Sequence, residues 1–73
     1  MTVVIYSDTH CNRCKGIERI LIGRGIEFDK VIISEMEEAA RLRLITRAKA
    51  FGSLALPLLE VDGKFVTLNE LIA

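Results

Sequence analysis

An α/β domain on a four-stranded mixed sheet, in the order β-α-β-α-β-β with a short terminal helix, is the fold class that this 73-residue sequence predicts. Three observations predict it. Short apolar, β-branched runs alternate with segments of helical periodicity, so the first two strands need a crossover connection and lie parallel. Asp62-Gly63 then separates two further strand runs, and a two-residue turn of that type closes an antiparallel hairpin. No repeat, linker or low-complexity stretch breaks the order, so residues 1–73 are expected to form a single domain.

The elements follow in turn. Val3 to Tyr6 is a continuous apolar run, which suits a strand covered on both faces. It stops at the polar loop Ser7-Asp8-Thr9-His10. A helix is expected to start near Cys11 or Asn12, with Cys14, Ile17, Ile20 and Leu21 on its buried face. Gly23 and Gly25 offer its C-terminal stop. Ile26 to Ile33 reads as the second strand, with Val31, Ile32 and Ile33 at its core.

Ser34 and Glu37 have the spacing of a capping box, which predicts a second helix from Glu35 to about Ala50. Early acids (Glu35, Glu37, Glu38) and late bases (Arg47, Lys49) complement its dipole. Met36, Ala40, Leu44 and either Ala48 or Phe51 form its apolar stripe, and Gly52 ends it. Leu58 to Val61 and Lys64 to Thr67 flank the turn as the last two strands. Leu68 to Ala73 has room for a short turn of helix.

Composition narrows the function. With 51% hydrophobic residues the chain can fill a core, whereas disordered chains are polar and highly charged. Ten basic and ten acidic residues cancel, leaving no basic excess to draw nucleic acid. The longest apolar runs fall far short of the roughly 20 residues that span a bilayer. The N-terminus lacks the basic region of a signal peptide. A cytoplasmic monomer is the expectation. In that reducing compartment a close cysteine pair is more often catalytic or metal-binding than structural.

Cys11-Asn12-Arg13-Cys14 is therefore the chemical centre. Residues i and i+3 of a helical turn lie close enough for two sulfurs to bond or separate. Directly after a strand and at a helix start, Cys11 meets unpaired N–H groups and the positive end of the dipole. That setting favours the thiolate, the form that attacks a disulfide. Arg13 and Lys15 add positive charge. Cys11 is assigned as the exposed nucleophile and Cys14, one turn deeper, as the resolving thiol. A zinc site is the rival reading. With His10 as the only further soft ligand, the usual four-ligand set cannot be filled from one chain. The alternative function is a module that holds a soft metal or an iron–sulfur cluster between two chains. His10 is read as an exposed loop residue or as a group that tunes the thiolate. Pro57, the single proline, is either a trans residue at a strand start or a cis proline facing the dithiol. In the second case the Leu56 backbone pairs with an extended substrate segment.

These residues together resemble the glutaredoxin branch of the thioredoxin-fold proteins, in particular the NrdH-type redoxins that serve ribonucleotide reductase. The resemblance rests on Val4 to Cys14, on the spacing from Gly52 to Pro57 and on the hairpin from Leu58 to Val66. It implies a thioredoxin-like (glutaredoxin) fold with a truncated C-terminal helix, a dithiol cycle at Cys11 and Cys14, and Pro57 in cis. Arg13, Lys15, Leu56 and Pro57 are the implied substrate-binding positions. The implied function is reduction of protein disulfides, with ribonucleotide reductase a candidate acceptor. No bound cofactor is expected, and the electron source is thioredoxin reductase or glutathione. Several positions depart from the glutathione-using pattern. Asp8 stands where a lysine is usual, Asn12-Arg13 replaces Pro-Tyr, and Ala55-Leu56 replaces Thr-Val. Thr67-Leu68-Asn69-Glu70 replaces a Gly-Gly turn followed by an acid. The Trp-Ser-Gly-Phe-like segment frequent in NrdH-type redoxins is also missing. Asp8 opposes an anionic ligand, so the expectation leans toward the reductase. Arg13 and Lys15 keep glutathione a candidate.

Overall fold

A computed structural model describes residues 1–52 and 56–72. Strand β1 (Val3–Ser7) leads into helix α1 (Asn12–Gly23), then β2 (Asp29–Ile32). A single 3-10 turn (Ile33–Glu35) precedes helix α2 (Glu38–Phe51). Strands β3 (Leu58–Val61) and β4 (Lys64–Val66) and helix α3 (Leu68–Ile72) complete the chain. The sheet order is β2-β1-β3-β4. β1 and β2 are parallel, from Val4↔Asp29 to Ser7↔Ile32, as a crossover through α1 requires. The β1–β3 and β3–β4 pairs are antiparallel. The expected mixed sheet is therefore present.

Alternation along β1 sends its side chains to two cores. Ile5 packs with Leu21 of α1 and Leu59 of β3, flanked by Ile17, Val66, Leu68 and Leu71. Tyr6 points to the other face, against the cluster of Leu44, Ala48 and Leu58. Helices α1 and α3 thus cover one side of the sheet and α2 the other.

Three turns fix the path. Ile26 N–H donates to Leu21 C=O and Gly25 N–H to Ile22 C=O, both at 3.0 Å, which is the double bond of a Schellman cap. Gly25 supplies its left-handed residue, with φ 70°. Gly52 does the same after α2 at φ 97°, as expected. Asp62 (φ 50°) and Gly63 (φ 86°) form the hairpin turn with both central residues left-handed. The Asp62 carboxylate also accepts the Thr2 N–H at 2.8 Å.

Some boundaries differ from the sequence reading. The second strand begins at Asp29 rather than Ile26, because the Schellman cap consumes Gly25 and Ile26. Val31, Ile32 and Ile33 are half-buried, since β2 is an edge strand. The Ser34–Glu37 capping box does not form. Ser34 lies inside the 3-10 turn, and Glu37 becomes the N-cap of α2 without a side-chain bond. The helix therefore begins at Glu38 rather than Glu35. Ala48, not Phe51, completes the buried stripe, and Phe51 is 40% exposed. Strand β4 stops at Val66 because Thr67 caps α3. Ala55 and Ala73, both named above, lie outside the described residues.

Candidate active site

The end of β1 and the start of α1 place the two cysteines. The Cys11 N–H donates to the Asp8 carbonyl at 3.3 Å, which turns the loop back over the sheet. Asp8 Oδ1 accepts the Thr9 N–H at 2.7 Å and holds that turn. Cys11 has extended backbone and is the N-cap of α1, and its sulfur accepts the Cys14 N–H at 3.1 Å. A sulfur thus takes the place usually filled by a serine or aspartate oxygen. Cys14, one turn on, is 1% exposed, while Cys11 is half-buried. The two are joined as a disulfide, with Cα atoms 5.2 Å apart.

Arg13 and Lys15 project from the first turn of α1 and are exposed, as is His10 in the loop. The Leu56–Pro57 peptide is cis. Pro57 and Arg13 border a shallow groove of about 190 Å³, floored by Ile17, Leu59, Val66 and Leu68 with Phe51 at its side. That is below the roughly 300–1,000 Å³ of a small-molecule pocket, so the groove has room for about one side chain. Leu56 turns its side chain into the α2-side core, against the cluster of Leu44, Ala48 and Leu58. The structure therefore brings Arg13 and Pro57 to one groove and leaves Lys15 outside its lining. A larger groove of about 760 Å³ lies at the opposite end of the sheet, between Met1 and Phe28, away from both cysteines.

The groove's apolar floor escaped the sequence reading, because Ile17, Val66 and Leu68 look like ordinary core residues until the sheet brings them together. The cap at its far end was also missed, with Thr67 read into the last strand, although a signal for it was present. Thr67-x-x-Glu70 has capping-box spacing. Glu70 N–H donates to Thr67 Oγ1 at 3.1 Å, and Thr67 N–H donates to Glu70 Oε1 at 3.0 Å. Among the described residues, no three His, Cys, Asp or Glu side chains are grouped as a metal ion needs. None of the described helices is long and apolar enough to cross a membrane.

A cysteine pair at a strand–helix junction, a cis proline that shares a groove with Arg13 and a β2-β1-β3-β4 sheet are now in place. The glutaredoxin family model matches residues 3–66. The chain belongs to the glutaredoxin family. Its fold is the thioredoxin-like fold of glutaredoxins, shared with solved relatives. A glutaredoxin from Methanosarcina mazei Go1 is 22% identical at TM-score 0.75, with 90% of this chain and 66% of that one covered. A buckwheat glutaredoxin solved with glutathione is 14% identical at TM-score 0.73, with coverages of 96% and 64%. NrdH-redoxin from Escherichia coli is 23% identical at TM-score 0.71, with 97% and 95% covered. The chain thus spans about two thirds of the first two relatives and nearly all of the third. No curated protein sequence matches it.

Proposed function

We propose that this glutaredoxin-family chain is a dithiol–disulfide oxidoreductase that reduces disulfides in protein segments. The observation that carries the reading is the partly exposed Cys11 at a helix start, disulfide-bonded to a buried Cys14 one turn below. In the reduced state the Cys11 thiolate attacks a substrate disulfide. One Cys11–substrate S–S bond forms, the substrate S–S bond breaks, and the departing sulfur takes a proton. The Cys14 thiolate then attacks Cys11 Sγ, forms the intrachain disulfide and releases the second substrate sulfur, which is protonated in turn. Two electrons and two protons pass to the substrate. Arg13 and the groove beside Pro57 receive the chain around the substrate cysteine, with the Leu56 backbone alongside. Lys15 acts only through its charge.

A dithiol reductase of the thioredoxin-reductase class or glutathione restores the pair. The first is favoured. Asp8 opposes an anion near Cys11, and the Thr67 N–H at the end of the groove is already bonded to the chain's own Glu70 carboxylate. A disulfide of ribonucleotide reductase is a candidate acceptor on the likeness to NrdH-redoxin. The cytoplasm is the compartment that suits such a cycle.

Two assays test this. Cys11→Ser abolishes turnover of a protein disulfide, and Cys14→Ser accumulates a mixed disulfide with it. Undiminished turnover by Cys11→Ser sinks the reading. NADPH with thioredoxin reductase is then compared with NADPH, glutathione and glutathione reductase. Faster turnover with the glutathione system reverses the assignment of reductant.

A further inference from the structure

Ser7 closes β1 just before the cysteine loop. It is 0% exposed, and its hydroxyl has no hydrogen-bond partner among the described residues. Buried hydroxyls without partners are rare in native proteins and ask for an explanation. The sheet register and the helix rise supply one.

Val3, Ile5 and Ser7 share the face of β1 that α1 covers. Ile5 packs with Leu21 and Ile17 of α1. The chain enters α1 from the C-terminal end of β1, so α1 runs back along the strand. Stepping from Ile5 to Ser7 advances about 6.6 Å along the strand. Toward the start of α1, Cys14 lies three residues (about 4.5 Å) before Ile17 and seven (about 10.5 Å) before Leu21, and these rises bracket that step. Cys14 and Leu21 are the two buried residues of that helix. Across the sheet, Ser7 pairs with Ile32, and the β1–β3 register carried one step past Tyr6↔Leu58 sets it opposite Pro57. Ser7 thus lies under the first turn of α1, in the row that ends at the cis proline.

We propose that Ser7 is the hydrogen-bond donor to the Cys14 sulfur in the reduced protein. This rests on the dithiol reading above. In the disulfide the Cys14 sulfur is held against Cys11, and the Ser7 hydroxyl bonds neither sulfur. Reduction turns that sulfur into a buried thiol or thiolate. A thiolate sealed from water needs a donor, and a charge-assisted bond is about twice as strong as a neutral one. The hydroxyl therefore favours the dithiol over the disulfide and steadies the resolving sulfur between the two exchange steps.

The test is a redox equilibrium. Wild type, Ser7→Ala and Ser7→Thr are equilibrated with reduced and oxidised glutathione at neutral pH, and the thiols are counted after alkylation. Each protein disulfide reduced takes two electrons and two protons as two glutathione thiols join in one disulfide. Ser7→Ala shifts the ratio toward the protein disulfide by about tenfold, equivalent to about 30 mV for this two-electron couple. Ser7→Thr, which keeps the hydroxyl, stays within about threefold of wild type. Urea unfolding of the oxidised Ser7→Ala protein keeps or raises its midpoint, since an unpartnered buried hydroxyl is removed. An unchanged ratio in Ser7→Ala, or equal shifts in both variants, overturns the proposal. A wild-type pair that no glutathione ratio reduces overturns the dithiol reading, and this proposal with it.

Discussion

The backbone N–H of Cys14 donates to the sulfur of Cys11 at 3.1 Å, so the N-cap of α1 is a sulfur atom. The capping sulfur and the buried sulfur one turn below belong to the same pair. The Cys11 sulfur is thus held where the helix has N–H groups to offer and where Arg13 adds exposed positive charge.

That placement predicts unequal thiols. In the reduced protein, iodoacetamide modifies Cys11 at least about tenfold faster than Cys14, by thiolate character and exposure together. Arg13→Glu slows the Cys11 reaction by about two- to fivefold at low salt and by less at high salt. Mass spectrometry of quenched samples reads both rates. Faster labelling of Cys14 would contradict the assignment of roles.

Arg47 fastens α2 to the hairpin. Its Nη2 bonds Glu60 Oε2 at 2.8 Å and the Gly63 carbonyl at 3.0 Å, and its guanidinium lies 4.5 Å from the Phe65 ring centroid. Arg47→Met keeps much of the stem and loses all three contacts. The expected loss is about 1–2 kcal/mol, measured as a lower urea midpoint with an unchanged slope. A loss below about 0.3 kcal/mol, the level of a typical exposed ion pair, would show that the clamp is decorative.

Tyr6 shares the Glu60 carboxylate, donating to Oε2 at 3.4 Å. Burial first, and then the neighbouring Glu60 charge, raise its phenol above the ordinary value. A raised folded value means that the native state holds its proton longer than the unfolded chain does. Stability from this group is full below pH about 10 and is lost as pH climbs from there through the raised value. Tyr6→Phe therefore flattens the fall of the urea midpoint as pH climbs above about 10. An identical alkaline slope in the variant would refute the assignment.

Leu21 is fully buried between Ile5 and Leu59. Leu21→Ala is expected to cost about 3 kcal/mol. In a domain this small that is a large part of the total, so the variant should be partly unfolded near 37 °C. Circular dichroism melts check this. A melting temperature within about 2 °C of wild type would place the core elsewhere.

Much of the fold was legible because its signals are local. The apolar run of β1, the Asp62-Gly63 turn and Gly52 after α2 each act through the backbone of a few neighbouring residues. Ser34 and Glu37 misled for the opposite reason. Their spacing is right for a cap, but Met36 packs on the α2-side core, Ser34 goes into a 3-10 turn and Glu37 becomes the N-cap of α2. Packing outweighs a capping preference of about 1 kcal/mol.

The sequence by itself determined the dithiol, its position between a strand and a helix, and the order of strands and helices along the chain, because covalent spacing and hydrophobic period carry them. Tertiary structure alone decided that Cys11 is half-exposed while Cys14 is sealed, and that Arg13, Phe51 and Leu68 share a groove with Pro57. It also buried Ser7 with its hydroxyl unpartnered among the described residues. Those relations depend on which strand lies beside which and at what register. A one-residue slip of β1 would turn Ser7 and Ile5 toward α2 and Tyr6 toward α1.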